Sequence, residues 1–343
     1  MECPLCSFPT FVKYHDHPSY VEDLFFDIVY CDHCDTSFVN PRNIDTSLYN
    51  QIYSNPQQVS GYNNYSRIGD IILKEKSPLK YLENHSFEYS FVIKELQKNY
   101  SKGQKILEVG CGIGYLTYAL NSATFDTIGT DIADNVIDNA IQKFGLYYQK
   151  GGVDSILLTN RKFDFIVLTE VIEHIPEPIL FLKKLELLLN SGGIILLTTP
   201  NKNAFSKDAL WVTDAPPIHL WWFSARSFKY ISQVTSMSYK IINKKSCHKN
   251  TYHYVSKSER IDMPIFIPKF DEVIYSPGFD NIKNDQFYSP LKSFFLSLFR
   301  SFVCQIPFKN KIIKLRNIFM NNHKTEIPYT MCVKLSKLQE SID

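Results

Sequence analysis

The chain predicts an α/β fold built on a doubly wound parallel sheet, and three stretches carry that expectation. The first is Lys105-Ile-Leu-Glu-Val-Gly-Cys-Gly-Ile-Gly-Tyr115, in which a buried-strand run at 106–109 ends in glycines and opens into a helix near Tyr115. The second is the apolar strand at 125–130, stopped by the acidic Asp131. The third is the pair of strands at 163–168 and 193–201, separated by a helical stretch. Strands alternating with helices build β-α-β units, and hence a parallel sheet covered on both faces.

Gly110, Gly112 and Gly114 make the turn that matters. Glycine has no Cβ and tolerates positive φ, so backbone here can lie directly against a ligand. A dinucleotide fingerprint would require another glycine at position 115, where this chain has Tyr115. An acidic residue at the tip of the second strand, here Asp131, is where a ribose diol is held by two hydrogen bonds.

The spacing Glu-x-Gly-x-Gly-x-Gly resembles the first motif of class I S-adenosylmethionine-dependent methyltransferases, and further motifs follow in that family's order over roughly residues 78–246. The resemblance implies a Rossmann-like seven-stranded sheet. It also implies a cofactor site made by Glu108, Gly110, Cys111, Gly112, Gly114, Asp131, Ile132, Asp154 and Glu170. In that family the place of Asp154 faces the exocyclic amine of adenine; the alternative for this residue is an ordinary helix N-cap.

Ahead of this core, Cys3-Pro-Leu-Cys6 and Cys31-Asp-His-Cys34 are two C-x-x-C knuckles separated by 24 residues. Two such pairs present four thiolates to one Zn²⁺, a closed and therefore structural site. Residues 24–30 read as a ribbon strand between them. A redox pair is the competing reading, but such a motif belongs at the start of a βαβ helix. His15, His17 and His33 are expected to be solvated. The ribbon spans residues 1–42; a tyrosine-rich connector and helices occupy 43–100, where Tyr49, Tyr53, Tyr62 and Tyr65 either fold over the cofactor as a lid or pack as a surface linker. The core domain is expected over 101–246.

Past the fourth strand stands Glu170-Val-Ile-Glu-His-Ile-Pro176, at the edge where open α/β sheets bind their ligands. One helical turn would put Glu170, Glu173 and His174 on one face. The Glu-x-x-Glu-His sequence is similar to that of ubiquinone-pathway O-methyltransferases and small-RNA 2′-O-methyltransferases. That likeness implies a site for Mg²⁺ or a similar ion, with His219 as a further ligand, or else His174 as a general base. Trp211, Trp221, Trp222 and Phe223 are expected to rim the acceptor site, where aromatic faces would stack on sugars or bases.

A helical insertion at 247–327 separates the last two strands, the final one lying within 328–343. The insertion holds an apolar helix at 291–303 suited to a membrane interface, a cover for the active-site mouth, or a homodimer contact.

With 343 residues, 44% of them hydrophobic, the chain can bury a full core. Its net charge of +2 gives no footprint for wrapping nucleic acid, and in residues 1–42 only Lys13 and Arg42 are basic. Eight cysteines without an export signal predict reduced thiols and a cytoplasmic location, with membrane association through 291–303 as the alternative. The expected activity is methyl transfer to a small-molecule hydroxyl, that of a sugar, polysaccharide precursor or related metabolite. The alternatives are a metal-dependent RNA 2′-O-methyltransferase and a non-enzymatic docking protein with a degenerate transferase domain.

Overall fold

The computed structural model describes residues 1–19, 24–43, 47–54, 63–204, 216–235, 237–242 and 330–337. From the amino end, β1 (Phe11–Pro18), β2 (Phe25–Cys31) and β3 (Thr36–Asn40) form an antiparallel ribbon. Four helices follow: α1 (Ser47–Ser54), α2 (Asn63–Ile72), α3 (Pro78–His85) and α4 (Phe87–Asn99). Pro78 starts α3 where no backbone donor is needed, and the Ser86 hydroxyl caps α4 by accepting from the Tyr89 N–H.

The core alternates as its hydrophobic pattern requires. It runs β4 (Lys105–Val109), α5 (Tyr115–Ser122), β5 (Asp126–Asp131), α6 (Asp134–Phe144), β6 (Tyr148–Lys150), α7 (Val153–Leu157), β7 (Phe163–Thr169), α8 (Pro178–Leu188) and β8 (Leu189–Pro200). Beyond these come β9 (Trp221–Trp222), α9 (Ala225–Val234), β10 (Met237–Ile241) and β11 (Thr330–Lys337). Among the described residues the large sheet has the order β10-β11-β8-β7-β4-β5-β6. Strands β4 to β8 are parallel and β10 and β11 antiparallel, which is the Rossmann-like, seven-stranded arrangement expected.

Apolar residues fill both faces of this sheet. On one face α3 to α6 bury Leu82, Ile93, Leu120 and Ile137 against Ile106, Phe165 and Val167. On the other, Leu107, Ile166 and Leu197 share a single cluster with Ile28, Phe38 and Val39 of the ribbon and with Phe228 of α9. The ribbon is therefore packed into the domain rather than tethered to it.

Several expectations change. The strand expected at 193–201 begins earlier: α8 ends at Leu188 and the chain enters β8 directly at Leu189, so Gly192 and Gly193 lie inside the strand. Trp221, Trp222 and Phe223 are not an acceptor rim: all three are buried. Trp221 stacks on Phe223 with ring centroids 5.7 Å apart, and its Nε1 donates to the Ile175 carbonyl at 2.8 Å. The reason is topological, since β9 joins β3 as the fourth strand of the ribbon sheet. His33 is not solvated but stacks on Phe8 and bonds the Tyr230 hydroxyl of α9. Trp211, Tyr62, the insertion and its helix at 291–303 lie outside the described residues.

Candidate functional site

The glycine corner joins β4 to α5. Gly110, Gly112 and Gly114 have φ of +70°, +51° and +90°, the left-handed region that only glycine enters freely. Space forbids side chains as well: a Cβ on Gly110 would lie 2.6 Å from Val171, and one on Gly114 2.6 Å from Tyr148. Asp131 closes the corner from β5. Its Oδ2 accepts from the Gly112 N–H at 2.9 Å and its Oδ1 from the Ala133 N–H at 3.0 Å. Burial raises the Asp131 carboxyl above its usual range, while these N–H groups pull it back.

The other expected cofactor residues divide. Ile132 is half exposed at the tip of β5, an apolar face beside Gly152. Cys111 is buried behind the turn. Glu108 is buried too and accepts from the Thr117 hydroxyl of α5, so it braces the helix; burial pushes its carboxyl up to about 8. Asp154, on α7, has an exposed carboxylate that pairs with Lys184 at 2.7 Å.

A second corner follows β7. Glu170 takes φ +53° and its N–H donates to the Thr198 carbonyl at 3.2 Å. Only a 3₁₀ turn, Ile172–His174, comes next, so the three residues do not share one helical face as expected. Instead Glu173, His174 and His219 bring their ligand atoms within 4.8 Å of one another, and Glu170 is not among them. The expected quartet for Mg²⁺ is thus a trio, because the positive-φ residue breaks the helical register.

Within the trio, His174 Nδ1 lies 2.7 Å from the Ile218 carbonyl and donates to it, which leaves Nε2 with a lone pair. That Nε2 is 3.9 Å from Glu173 Oε1, while Glu173 Oε2 accepts from the Thr199 hydroxyl at 2.9 Å. The His219 ring stands edge-on to His174, centroids 4.5 Å apart. Burial drives His174 down to about 4 and Glu173 up to about 8, and it depresses His219 strongly. Both imidazoles are consequently neutral at neutral pH.

Helix α1 lies across both corners. The Tyr53 hydroxyl sits 3.1 Å from where a Gly112 Cβ would be, and the Tyr49 ring meets His174 edge-on at 6.1 Å. Asn135 of α6 holds the helix down through the Asn50 carbonyl at 3.2 Å and the Ser54 hydroxyl at 3.1 Å. Tyr65 packs on Tyr115 instead. Away from this edge, a cavity of about 260 Å³ lined by Lys105, Asp126 and Arg161 sits at the opposite, amino ends of the strands and has no part in the site.

In the ribbon, the four expected sulfurs converge within 4.8 Å of one another, Cys3 to Cys34 and Cys6 to Cys31 each at 3.5 Å. Zn–S bonds of about 2.3 Å set tetrahedral S···S edges near 3.8 Å, so the donor set fits that ion. Bonding from Cys34 holds the Cys3 thiol low, at about 5, while burial raises Cys6 to about 11. The ribbon reaches the second corner through backbone: the Val39 N–H donates to the Leu220 carbonyl at 3.0 Å, and the Leu220 N–H to the Glu173 carbonyl at 2.9 Å. Sequence reasoning missed this link, since a strand of two residues is too short to show an alternating pattern.

Residues 82–233 match the model of a family described as a methyltransferase domain. This stretch is thus similar to methyltransferase domains. The chain resembles the ubiquinone biosynthesis O-methyltransferase of Coxiella burnetii, 32% identical over 107 residues, 30% of this chain and 46% of that protein. It resembles that of Haemophilus ducreyi at 29% over 136 residues, 35% of this chain and 58% of the other. The chain thus spans about half the length of the curated relatives it matches. Among solved structures, a plantazolicin methyltransferase in complex with a triazolic desmethylPZN analog and SAH aligns over 85% of this chain and 98% of its own, with 17% identity and a TM-score of 0.41. A SAM-dependent methyltransferase from Archaeoglobus fulgidus aligns over 72% and 94%, with 16% identity and a TM-score of 0.39. Among the described residues, no helix is long and apolar enough to cross a membrane.

Proposed function

We propose that this domain transfers a methyl group from S-adenosylmethionine to a hydroxyl of a small acceptor. The observation that carries the reading is the pairing of two corners on one sheet edge: glycines closed by Asp131, and next to them the Glu173, His174 and His219 trio. Gly110, Gly112 and Gly114 leave bare backbone for the amino-acid part of the cofactor. Asp131, held in one orientation by two N–H groups, offers its remaining lone pairs to a ribose diol, and Ile132 offers an apolar face to a purine. S-adenosylmethionine bound there supplies a methyl group on an electrophilic sulfonium.

What remains is to orient the acceptor and take its proton. The bond from His174 Nδ1 to Ile218 fixes the tautomer that keeps an Nε2 lone pair, and burial keeps the ring neutral, so that lone pair is available to a proton or a cation. Tyr49 and Tyr53 on α1 form the wall over the two corners. The names of the curated relatives support an O-methyltransferase of small hydroxylated molecules. A sugar or polysaccharide-precursor hydroxyl stays within that class, although the aromatic cluster that favoured stacking is buried. The sparse basic residues of the ribbon oppose an RNA acceptor. In the same reading Cys3, Cys6, Cys31 and Cys34 hold one structural Zn²⁺.

Titration calorimetry with S-adenosylmethionine tests the first corner. Asp131→Ala is expected to lose two charge-assisted hydrogen bonds and at least about a hundredfold in affinity; an unchanged affinity rejects the site. His174→Ala is expected to lower turnover by roughly 10²–10⁴ with cofactor affinity retained.

A further inference from the structure

Four consecutive residues of the second corner are each tied from outside their own turn. The Glu173 carbonyl accepts from the Leu220 N–H at 2.9 Å, His174 Nδ1 donates to the Ile218 carbonyl at 2.7 Å, and the Ile175 carbonyl accepts from Trp221 Nε1 at 2.8 Å. The fourth tie comes from elsewhere in the chain: Arg42, just past β3, donates from Nε to the Pro176 carbonyl at 3.3 Å. The two sources are joined, because the Arg42 guanidinium lies over both the Trp221 ring, at 5.2 Å, and the Phe38 ring, at 5.3 Å.

We infer that Arg42 is a positioning residue for His174, through which the ribbon fixes the far end of the second corner. The inference deepens the methyl-transfer reading and rests on it only for its use in catalysis. β7 ends at Thr169 and the 3₁₀ turn spans only Ile172–His174, so the segment is too short to hold its imidazole by its own regularity. Its shape is set by what grips it at each end: the Thr198 carbonyl at the Glu170 N–H, and Arg42 at Pro176. Residue 176 is a proline, so its carbonyl is the one backbone group by which it can be hydrogen-bonded. With that carbonyl released, the His174 ring would pivot about its single bond to Ile218.

The contacts of Arg42 also show which of them matters. A terminal nitrogen lies 3.2 Å from Glu177 Oε1, but that carboxylate side chain is 61% exposed and the pair is screened by solvent. The Arg42 side chain itself is only 19% exposed. Its bond to Pro176 is made from a head packed on two aromatic rings, and a planar guanidinium can lie on those rings while an edge N–H reaches a carbonyl. A lysine ammonium, a point charge, cannot do both.

The test reads the His174 ring directly, by nitrogen-15 magnetic resonance of the histidine-labelled full chain, with S-adenosylmethionine calorimetry alongside. In wild type the His174 signal should be that of one tautomer, protonated at Nδ1. In Arg42→Ala the Nδ1 proton should exchange with water about tenfold faster or more, with the two tautomers averaging, while cofactor affinity is unchanged. Arg42→Lys keeps the charge and should move the same signal in the same direction; it carries the test if the alanine variant does not fold. Arg226→Ala is the control, since it removes another arginine-to-carbonyl tie between ribbon and domain, 2.9 Å long but made to Asp32 of the second knuckle. A merely cohesive role would make the two arginines alike, so an equal change in Arg226→Ala, or an unchanged His174 signal in the folded Arg42 variants, overturns the proposal. The expected His174 response in a wild type that binds no S-adenosylmethionine would sink the methyl-transfer reading alone. Cofactor binding with an indifferent His174 would sink only the role of Arg42.

Discussion

The ribbon and the α/β domain are held together by opposite means. In the domain, cohesion is diffuse: Ile106, Leu107, Ile166, Leu196 and Leu197 of the central strands are all fully buried between helices on the two faces. In the ribbon it is concentrated where four sulfurs meet, and its outer strand leaves Phe11 and Val12 exposed. Deleting one core side chain removes a few kcal/mol from a sum spread over many, whereas losing a point of convergence removes its whole contribution at once. The ribbon nevertheless shares an apolar cluster with the domain, so its independence is limited on one side only.

The largest expected effect comes from breaking the convergence point. Structural Zn²⁺ contributes roughly 10–16 kcal/mol in small metal-dependent domains. With the proposed Zn²⁺ in that site, chelation, or Cys34→Ser, should open the ribbon to protease near Lys13 while the sheet of the domain keeps its thermal transition. One simultaneous transition for both parts would erase the distinction. Trp221→Ala comes next, since this side chain is fully buried where the two regions meet; about 3–5 kcal/mol of stability should be lost in denaturant titrations, with ribbon and domain both affected.

A subtler probe lies wholly inside the domain. Burial lifts Glu108 from the usual 4.5 to about 8, so the folded state binds more protons than the unfolded one between those values. Stability from this group is complete below about pH 4.5 and declines as pH rises through 8, by on the order of a few kcal/mol. Glu108→Gln should flatten that slope in melts recorded across the range. The smallest effect is expected from Asp154→Ala, an exposed pair with Lys184, at less than about 1 kcal/mol. Its cofactor affinity should match wild type if Lys184 is its partner in the complex as well, and a tenfold loss would assign the residue to the adenine site.

The same contrast explains what the sequence made legible. The glycine corner and Asp131 were readable because each demands a residue type: no Cβ at three places, a carboxylate at one. The cysteine knuckles were readable for the same reason. The second corner was only half readable, because Glu170, Glu173 and His174 fit a helical face on paper while one positive φ at Glu170 removes the first of them. Long-range placement left no local trace. Neither Trp221 pairing with Phe38 nor Tyr49 reaching His174 is encoded by spacing, and both are settled by which surfaces remain to be covered.

The strand at 221–222 has a consequence for how the molecule is made. Its partner β3 leaves the ribosome about 180 residues earlier, but that edge has no β9 to bond until residue 222 has been made. The amino-terminal ribbon is thus finished late, after the parallel strands through β8 have already emerged. A chain stalled or cut before 222 would leave this edge of β3 unpaired, and the arrival of β9 is what covers it.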